Sequence, residues 1–451
     1  MEIKASDIKD KLPEKGKKNC KECGVPTCFA FSLKLSKGQA ELSACPHLDP
    51  AVRQELEDLL SPPMKLVRLG SGERVVQIGD ERVMFRHEQG FSHEPALAVV
   101  LSDMETNEEI DRKIKQVDQF QYERIGKTYR ADLLALKFES GDPTRFAEVV
   151  KKSYQTSSLS AVILSEDLEA LFAARDLYAD RRPLIYPITE KNIDAALPRI
   201  KERPTPVGVK ADGVEALIPL TEKLSTTGIN ELILDPSPKD IFEALQQQTI
   251  IRRSAVVSKC RPLGYPTMAL PCALTTDPLQ EIVLASALVA KYANLIVLSG
   301  LDEARLFPLF LLREDLYVDP RFMRQVPPKI YEIGSPDLDS PVLATVNSSI
   351  TYFMVRAEVE QSKVPAWLAV LDTGGFSVQT ALGSGKFGGV QIAGLLKEHG
   401  LAEGSRLKKI IIPRPAYVIK EDLEANLPGW EVVIGPELAK EIQPMMKKLV
   451  Q

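Results

Sequence analysis

Four cysteines near the start constrain this chain more than any other feature. Cys20, Cys23, Cys28 and Cys45 form a C-x2-C-x4-C-x16-C array inside one 26-residue window, within Asn19-Cys-Lys-Glu-Cys-Gly-Val-Pro-Thr-Cys28 and Cys45-Pro46. The other two of the six cysteines, Cys260 and Cys272, lie far away and read as small buried apolar groups. Clustered thiolates select iron-sulfur clusters, zinc or copper(I). The close spacing of the first three lets one short loop surround a metal centre. A proline after the last ligand is common at clusters, and His47 does not fit the histidine spacing of a zinc finger. A 4Fe-4S cluster therefore ranks first, a structural zinc on the same thiolates second, and disulfides third. A domain this small cannot bury enough surface without its metal. Ser61-Pro-Pro63 marks its end, which gives a cluster domain over 1–60.

The remaining length needs further cores, since 451 residues exceed what one core supports. Hydrophobic and charged fractions of 44% and 26% are ordinary for a globular chain. A net charge of −5 argues against a nucleic-acid surface. Lys4, Lys9, Lys11, Lys15, Lys17, Lys18 and Lys21 are a local exception. They form a solvated face, or one that meets an acidic partner. The first residues, Met1-Glu-Ile-Lys-Ala-Ser, lack the apolar core of a signal peptide. The longest apolar stretch, 282–290, is too short to span a membrane and ends at Lys291. A cytoplasmic location is expected, with no membrane and no nucleic acid among the partners, and its reducing conditions suit thiolate ligands.

Residues 3–12 read as a short helix with Ile3, Ile8 and Leu12 on its apolar side, and Thr27 to Leu35 as a helix beginning beside Cys28. From 64 to 86 the pattern turns to period two, with strands expected at 65–69, 73–78 and 81–85. Beyond 94 one rhythm repeats: a short apolar strand, a polar end, then a longer mixed segment. Strands are expected at 97–101, 133–138, 161–164, 184–187, 207–210, 231–234, 255–258 and 295–298, with helices at 143–152, 168–179, 191–201, 213–225, 239–248 and 278–291. Eight strand-helix units over about 235 residues match a (β/α)8 TIM barrel in number and size. An open parallel sheet would use the same units. With its N-terminal hairpin, the barrel domain spans 61–328. Polar residues at the strand ends, such as Ser102-Asp103, Ser165-Glu166, Asp212 and Asp235, fit a catalytic face. They fit ordinary helix capping as well, and Asp212 and Asp235 show no arrangement for acid-base chemistry.

Prolines 327 and 328, then Gly334 to Pro341, mark the start of a third domain, 329–451. Strands near 342–347, 367–371, 410–413 and 431–434 alternate with helices at 352–362, 390–399 and 438–450, the pattern of a small doubly wound, Rossmann-like sheet. Glycine turns follow at Asp372–Phe376, Gly383–Gly389 and Gly435-Pro436, where such sheets bind ligands. The second turn lacks phosphate-loop spacing, because Phe387 follows Lys386. The fold class is therefore α/β throughout: an iron-sulfur domain, a TIM barrel and a doubly wound C-terminal domain.

Taken together, these motifs resemble a known family, the large (gamma) subunits of the corrinoid iron-sulfur protein of the acetyl-CoA decarbonylase/synthase complex. The resemblance rests on Asn19 to Phe31, Ala44-Cys-Pro46, the barrel, and Ser362-Lys-Val-Pro-Ala-Trp367 leading into Leu371-Asp-Thr-Gly-Gly-Phe-Ser-Val378. It implies a 4Fe-4S cluster on Cys20, Cys23, Cys28 and Cys45, and a base-off cobamide in the C-terminal domain. By the same analogy, Thr373 and the loop around it (Asp372, Gly374, Gly375, Phe376, Ser377, Val378) face the corrin, joined by Thr345, Thr351 and Gly435. Local capping explains Thr345 and Thr351 equally well. The family carries a methyl group on cobalt, which cycles between Co(I) and methyl-Co(III), and the cluster returns the electron lost when Co(I) oxidises to Co(II). The implied partners are a small (delta) subunit in a heterodimer, a methyltetrahydrofolate or tetrahydropterin methyltransferase, acetyl-CoA synthase/CO dehydrogenase, and a low-potential electron donor. The absence of a D-x-H-x-x-G motif, with His399 the one histidine of the C-terminal domain, suits a cobamide without a protein histidine on cobalt. Two rivals stand beside this reading: a pterin-binding methyltransferase, and an iron-sulfur electron-transfer or activator protein.

Overall fold

A computed structural model of the chain describes residues 5–36, 39–60, 62–124 and 127–449. They form two compact units: Met1–Phe120 with Arg130–Asp319, and Gln121–Tyr129 with Pro320–Gln451.

The first unit opens with a small module of helices at Ala5–Lys9, Cys28–Ser36 and Pro50–Leu60. Ile8, Leu12, Phe31, Leu35, Leu42 and Leu56 make its core, and Cys45 lies among them. Ile3 falls outside the described residues.

Eight parallel strands follow: β1 Ala96–Ser102, β2 Leu133–Lys137, β3 Ser160–Leu164, β4 Leu184–Ile188, β5 Val207–Lys210, β6 Leu232–Asp235, β7 Met268–Ala269 and β8 Leu295–Leu298. Their order around the sheet is β6-β5-β4-β3-β2-β1-β8-β7. A parallel bridge between Leu234 and Thr267 joins the two ends and nearly closes a barrel. The strands read as unbroken apolar runs because both faces are covered. Ala96, Ala98, Leu133, Ala135, Val162 and Val297 belong to the inner cluster. Val99, Leu101, Leu134, Leu136 and Ile163 pack outward with the helices. The antiparallel pair Val67–Leu69 and Val76–Ile78 adds Val67, Leu69 and Ile78 to the inner cluster. Gly70 N donates to Arg182 O and Lys65 N to Gly264 O, residues just ahead of β4 and β7, so this hairpin plugs the amino-terminal end of the barrel.

Two strand expectations are corrected. Residues 255–258 end the helix Ile241–Val256, which Asp240 starts by accepting Glu243 N at 2.8 Å. The β-branched pair Val256-Val257 imitates a strand there, while the true seventh strand has only two residues and shows no period. Residues 81–85 form no strand either. Glu81 turns inward to a buried ion pair with Arg252 at 2.8 Å, and Val83 O accepts two bonds from the same guanidinium.

The second unit holds a five-stranded sheet: β9 Lys329–Ile333, β10 Val342–Val346, β11 Ala366–Leu371, β12 Lys409–Ile412 and β13 Glu431–Ile434. The order is β9-β11-β10-β12-β13, with β9 antiparallel to β11 and the rest parallel. One face packs Leu343, Leu368, Val370 and Ile411 against the helices Ser349–Ser362 and Ile442–Leu449. The other packs Val342, Ala344, Leu371 and Ile410 against the helix Gly389–Glu398. Val450 lies outside the described residues. Connections leave β10 in opposite directions on its two sides, so the topological switch point lies between β10 and β12. A second hairpin, Tyr122–Arg124 with Lys127–Tyr129, also belongs to this unit, and nothing in its sequence pattern announced it.

Candidate metal centre and ligand cleft

The four predicted thiols come together. Cys20, Cys23, Cys28 and Cys45 line one recess of ≈ 330 Å³, counting its open mouth, with Val25 and Phe31 as apolar walls. Its shape comes from an unusual run of left-handed backbone: Asn19 at φ 45°, Lys21 at 69° and Gly24 at 77°. Asn19, which carried no role in the sequence reading, ties the loop together. Its Oδ1 accepts Cys28 N at 2.8 Å, and its own N–H points at Cys28 Sγ at 3.4 Å. Thr27 Oγ1 accepts Ala30 N at 3.0 Å and starts the helix Cys28–Ser36, so Cys28 sits at the positive end of that helix.

All six cysteines are free thiols, which removes the disulfide alternative for this structure. Burial pushes the Cys45 thiol above its ordinary value; a backbone hydrogen bond from His47 opposes this, and the charges of Cys23, Cys20 and Cys28 add to it. A cation among the four sulfurs would relieve that repulsion, so the donor set fits a thiophilic metal. At the mouth, His47 Nε2 meets Glu22 Oε1 at 3.0 Å, and this contact holds the Glu22 carboxyl below its ordinary value. Among the described residues, Cys20, Glu22 and His47 are the set of three ligand atoms that all lie within 4.8 Å of one another.

The second predicted site lies along the carboxyl ends of β10 to β13. Its loops are held by Asn347, which the sequence reading passed over. This fully buried residue follows β10 directly. Its Oδ1 accepts Thr373 N at 3.0 Å, Thr373 Oγ1 at 2.8 Å and Gly375 N at 3.0 Å. Its amide donates to Gln325 Oε1 at 3.2 Å and Asp372 Oδ1 at 3.3 Å. Thr373 is therefore buried within the turn, with its hydroxyl engaged. Gly374 and Gly375 adopt φ of 70° and 78°, and a Cβ on Gly375 would fall 2.6 Å from Met323 Cβ. Phe376 lies under the Lys386 ammonium, 5.0 Å from ring centroid to Nζ. Ser377 caps the short helix that starts at Val378 by accepting Thr380 N. Gly435 is pressed against Ile412 O, where a Cβ would come within 2.9 Å.

Thr345 is fully buried, and its hydroxyl has no hydrogen-bond partner. On a strand it shares the face of Leu343, toward the helices Ser349–Ser362 and Ile442–Leu449. Thr351 stands half-buried on the first of these. Phe322, Met323, Ile350, Val390, Tyr417, Val418 and Leu438, each more than half exposed, lie in segments that leave these strand ends or pack beside them. An orphaned hydroxyl and a collar of bare apolar residues fit a large, mostly apolar ligand with polar arms.

The polar residues at the barrel's strand ends are occupied otherwise. Asp103 Oδ1 accepts Glu139 N and Ser140 N at 2.8 and 2.9 Å. Asp235 accepts Tyr186 OH and Ser237 N, and Asp212 is exposed beside Lys239. Cys272 is pushed up to about 12 by burial, with Glu281 adding to it, and so stays a thiol.

Comparison with known proteins shows the family. A family model described as "CO dehydrogenase/acetyl-CoA synthase delta subunit" matches residues 66–446, and one described as "Putative Fe-S cluster" matches 16–47. The "Corrinoid/iron-sulfur protein large subunit" of Moorella thermoacetica is 38% identical over 98% of both chains. The "Acetyl-CoA decarbonylase/synthase complex subunit gamma" of Methanopyrus kandleri is 33% identical over 99% of this chain and 98% of that one. That of Methanothermobacter thermautotrophicus is 32% identical over 100% and 99%. The delta-subunit model covers barrel and C-terminal sheet but not the thiol module, whereas the large and gamma subunits match end to end. The chain belongs to the family of corrinoid/iron-sulfur protein large subunits, the gamma subunits of acetyl-CoA decarbonylase/synthase complexes.

Proposed function

We propose that this protein carries methyl groups in the reductive acetyl-CoA (Wood-Ljungdahl) pathway, receiving them from methyltetrahydrofolate or a tetrahydropterin through a methyltransferase and passing them to acetyl-CoA synthase. The observation that carries the reading is the presence, in one chain, of a four-thiol recess and, at the strand ends of the C-terminal sheet, a glycine turn beside an unsatisfied buried hydroxyl. In the recess, Cys20, Cys23, Cys28 and Cys45 hold a 4Fe-4S cluster. The match of residues 16–47 to a model described as "Putative Fe-S cluster" supports the cluster over a zinc on the same thiolates.

In the cleft, the chain's part is to bind and to exclude water. Thr345 offers its free hydroxyl to a polar arm of the cobamide, Gly374 and Gly375 let the turn at 372–376 take its left-handed backbone, and the exposed apolar collar covers the ligand's edge. When bound, the cobamide supplies a nucleophilic Co(I) that accepts and releases methyl, and the cluster supplies the one electron that restores Co(I) from Co(II). His399, the one histidine of the C-terminal domain, caps the far end of the helix Gly389–Glu398, its ring on Leu395 O at 3.1 Å, in keeping with a base-off cobamide without a histidine of this domain on cobalt. A small (delta) subunit of related fold is the proposed heterodimer partner, and CO dehydrogenase and a low-potential electron donor complete the assembly. The cytoplasm is the proposed location, and no described helix is long and apolar enough to cross a membrane. The pterin-binding alternative draws less support from the residues weighed for it, since Asp235 is already bonded to Tyr186 and Ser237 and Asp212 is exposed beside Lys239.

Anaerobic co-purification with the small subunit from a host supplied with cobamide tests this reading. About one cobalt and four irons per heterodimer are expected, and iron without cobalt would sink the methyl-carrier role. In Cys20→Ala, methyl transfer from freshly prepared Co(I) survives while reactivation of Co(II) fails. Equal reactivation in the variant would refute the repair role of the cluster.

A further inference from the structure

The rim of the thiol recess carries charge that the metal site does not use. Residues 14–21 hold four lysines, Lys15, Lys17, Lys18 and Lys21, against one carboxylate, Glu14, in a chain of net charge −5. Among the described residues none of the four forms an ion pair, although nearby Lys11 pairs with Glu55, and Glu22 with His47. Lys15, Lys17 and Lys21 are exposed, and Lys18 and Lys21 reach the recess itself. Cys20, Cys23 and Cys28 are only half-buried, so the recess opens on this side. Phe29 and Leu33, one turn apart on the helix that starts at Cys28, are 48% and 38% exposed.

An unpaired positive rim, a small apolar patch and a redox-active centre just beneath are the parts of a transient electron-transfer contact. Such contacts are small, rely on charge to steer the encounter, and need only a minor apolar centre. The rest of the chain is net negative and would repel an extended polyanion, which favours a compact acidic partner over nucleic acid. We propose that this lysine rim is the docking surface of an acidic one-electron carrier protein, which reduces the metal centre through the recess mouth. The proposal rests on the reading of the four thiols as an iron-sulfur cluster. In each encounter the carrier is oxidised by one electron and the cluster reduced by one, and no atom or proton is transferred.

The test uses the full chain with its cluster and a plant-type 2Fe-2S ferredoxin as the acidic probe. Binding of the oxidised probe is followed by calorimetry, and cluster reduction by the reduced probe in stopped flow, at about 20 mM and about 300 mM salt. The bimolecular rate constant is expected to fall about tenfold or more with added salt. Lys15→Glu with Lys17→Glu, neither of which lines the recess, lowers affinity and rate about tenfold at low salt. Reduction by dithionite, which needs no docking, is unchanged in the double variant. Lys151→Glu, an exposed lysine on a barrel helix, changes neither reading. A salt-independent rate, an equal effect of Lys151→Glu, or equally tight binding of a single-stranded DNA oligomer lost in the same double variant overturns the proposal. If dithionite bleaches nothing, the cluster reading falls and the docking surface with it. A chain that bleaches normally but ignores ferredoxin overturns the docking surface alone.

Discussion

Replacing Asn347 with Ala strands three donors at once: Thr373 N, Thr373 Oγ1 and Gly375 N all lose their common acceptor inside a buried turn. Each unsatisfied buried group costs about 1–3 kcal/mol, part of it recovered by entering water, so a loss of about 2–4 kcal/mol is expected. Urea unfolding of the whole chain measures it, and cobamide retention should fall in parallel because the glycine turn loses its brace. Full stability with full cobamide content would show that the turn holds itself. Asp235 belongs to the same scale. Burial is the chief cause that raises its pKa above the ordinary 3.8, against the opposing hydrogen bonds of Tyr186 and Ser237 N. Above pH ~4 the native state therefore holds this proton more firmly than the unfolded chain does. Its contribution to stability is fully present below that pH and is lost as pH rises toward the raised value. Asp235→Asn removes the proton exchange, so stability of the variant relative to the native chain should improve as pH rises above about 4. A difference that does not change with pH would mean that Asp235 does not titrate on unfolding.

Between elements, the largest buried charge is Arg252, on the helix Ile241–Val256. It reaches Glu81 and Val83 in the segment beyond the plug hairpin, with Phe91 and Tyr292 against its guanidinium at 5.3 and 5.2 Å. Arg252→Met leaves the Glu81 carboxylate buried and unpaired, with an expected cost of about 3–5 kcal/mol. Adding Glu81→Leu should restore most of it, since two apolar side chains need no partner. Failure of the second substitution to rescue would locate the cost in the lost bonds to Val83 O. The same pair shows what was legible in the sequence and what was not. Strands β1 to β6 and β8 announce themselves because they are buried on both faces and read as apolar runs. The segment at 81–85 alternates like a strand, yet its polar residue faces inward to a partner 171 positions away, which no local pattern records. At 255–258 a helix end shares the β-branched composition of a strand. The seventh strand, two residues long, is set by the barrel's closure and not by its own propensity. At the sites, the cysteines are legible because metal ligation fixes residue type and spacing together. Asn19 and Asn347 are not, because an asparagine that braces a loop looks like any turn asparagine until the chain is folded.

Across the whole molecule, the thiol module and the larger cores depend on different forces. The barrel and the C-terminal sheet close extensive apolar clusters of their own. The module has one small cluster, built around Cys45 with Leu42, Leu48 and Phe31 and edged by Cys23 and Cys28. Cys45 is thus part of the core, and burial together with the neighbouring thiols raises the cost of ionising it unless a metal lies between them. A core of that size would depend on a bound metal for its stability. Cys45→Ala should accordingly unfold the module and nothing else. Iron content drops, a protease given briefly under native conditions cuts the chain ahead of Pro62, and the main thermal transition moves by less than about 2 °C, as distant independent sites allow. Cobamide content stays at the native level, because the cleft residues belong to the other compact unit. A barrel that melts together with the module, or a cobamide lost along with the iron, would mean that the cluster supports the whole chain and that its redox role and its structural role cannot be separated by substitution.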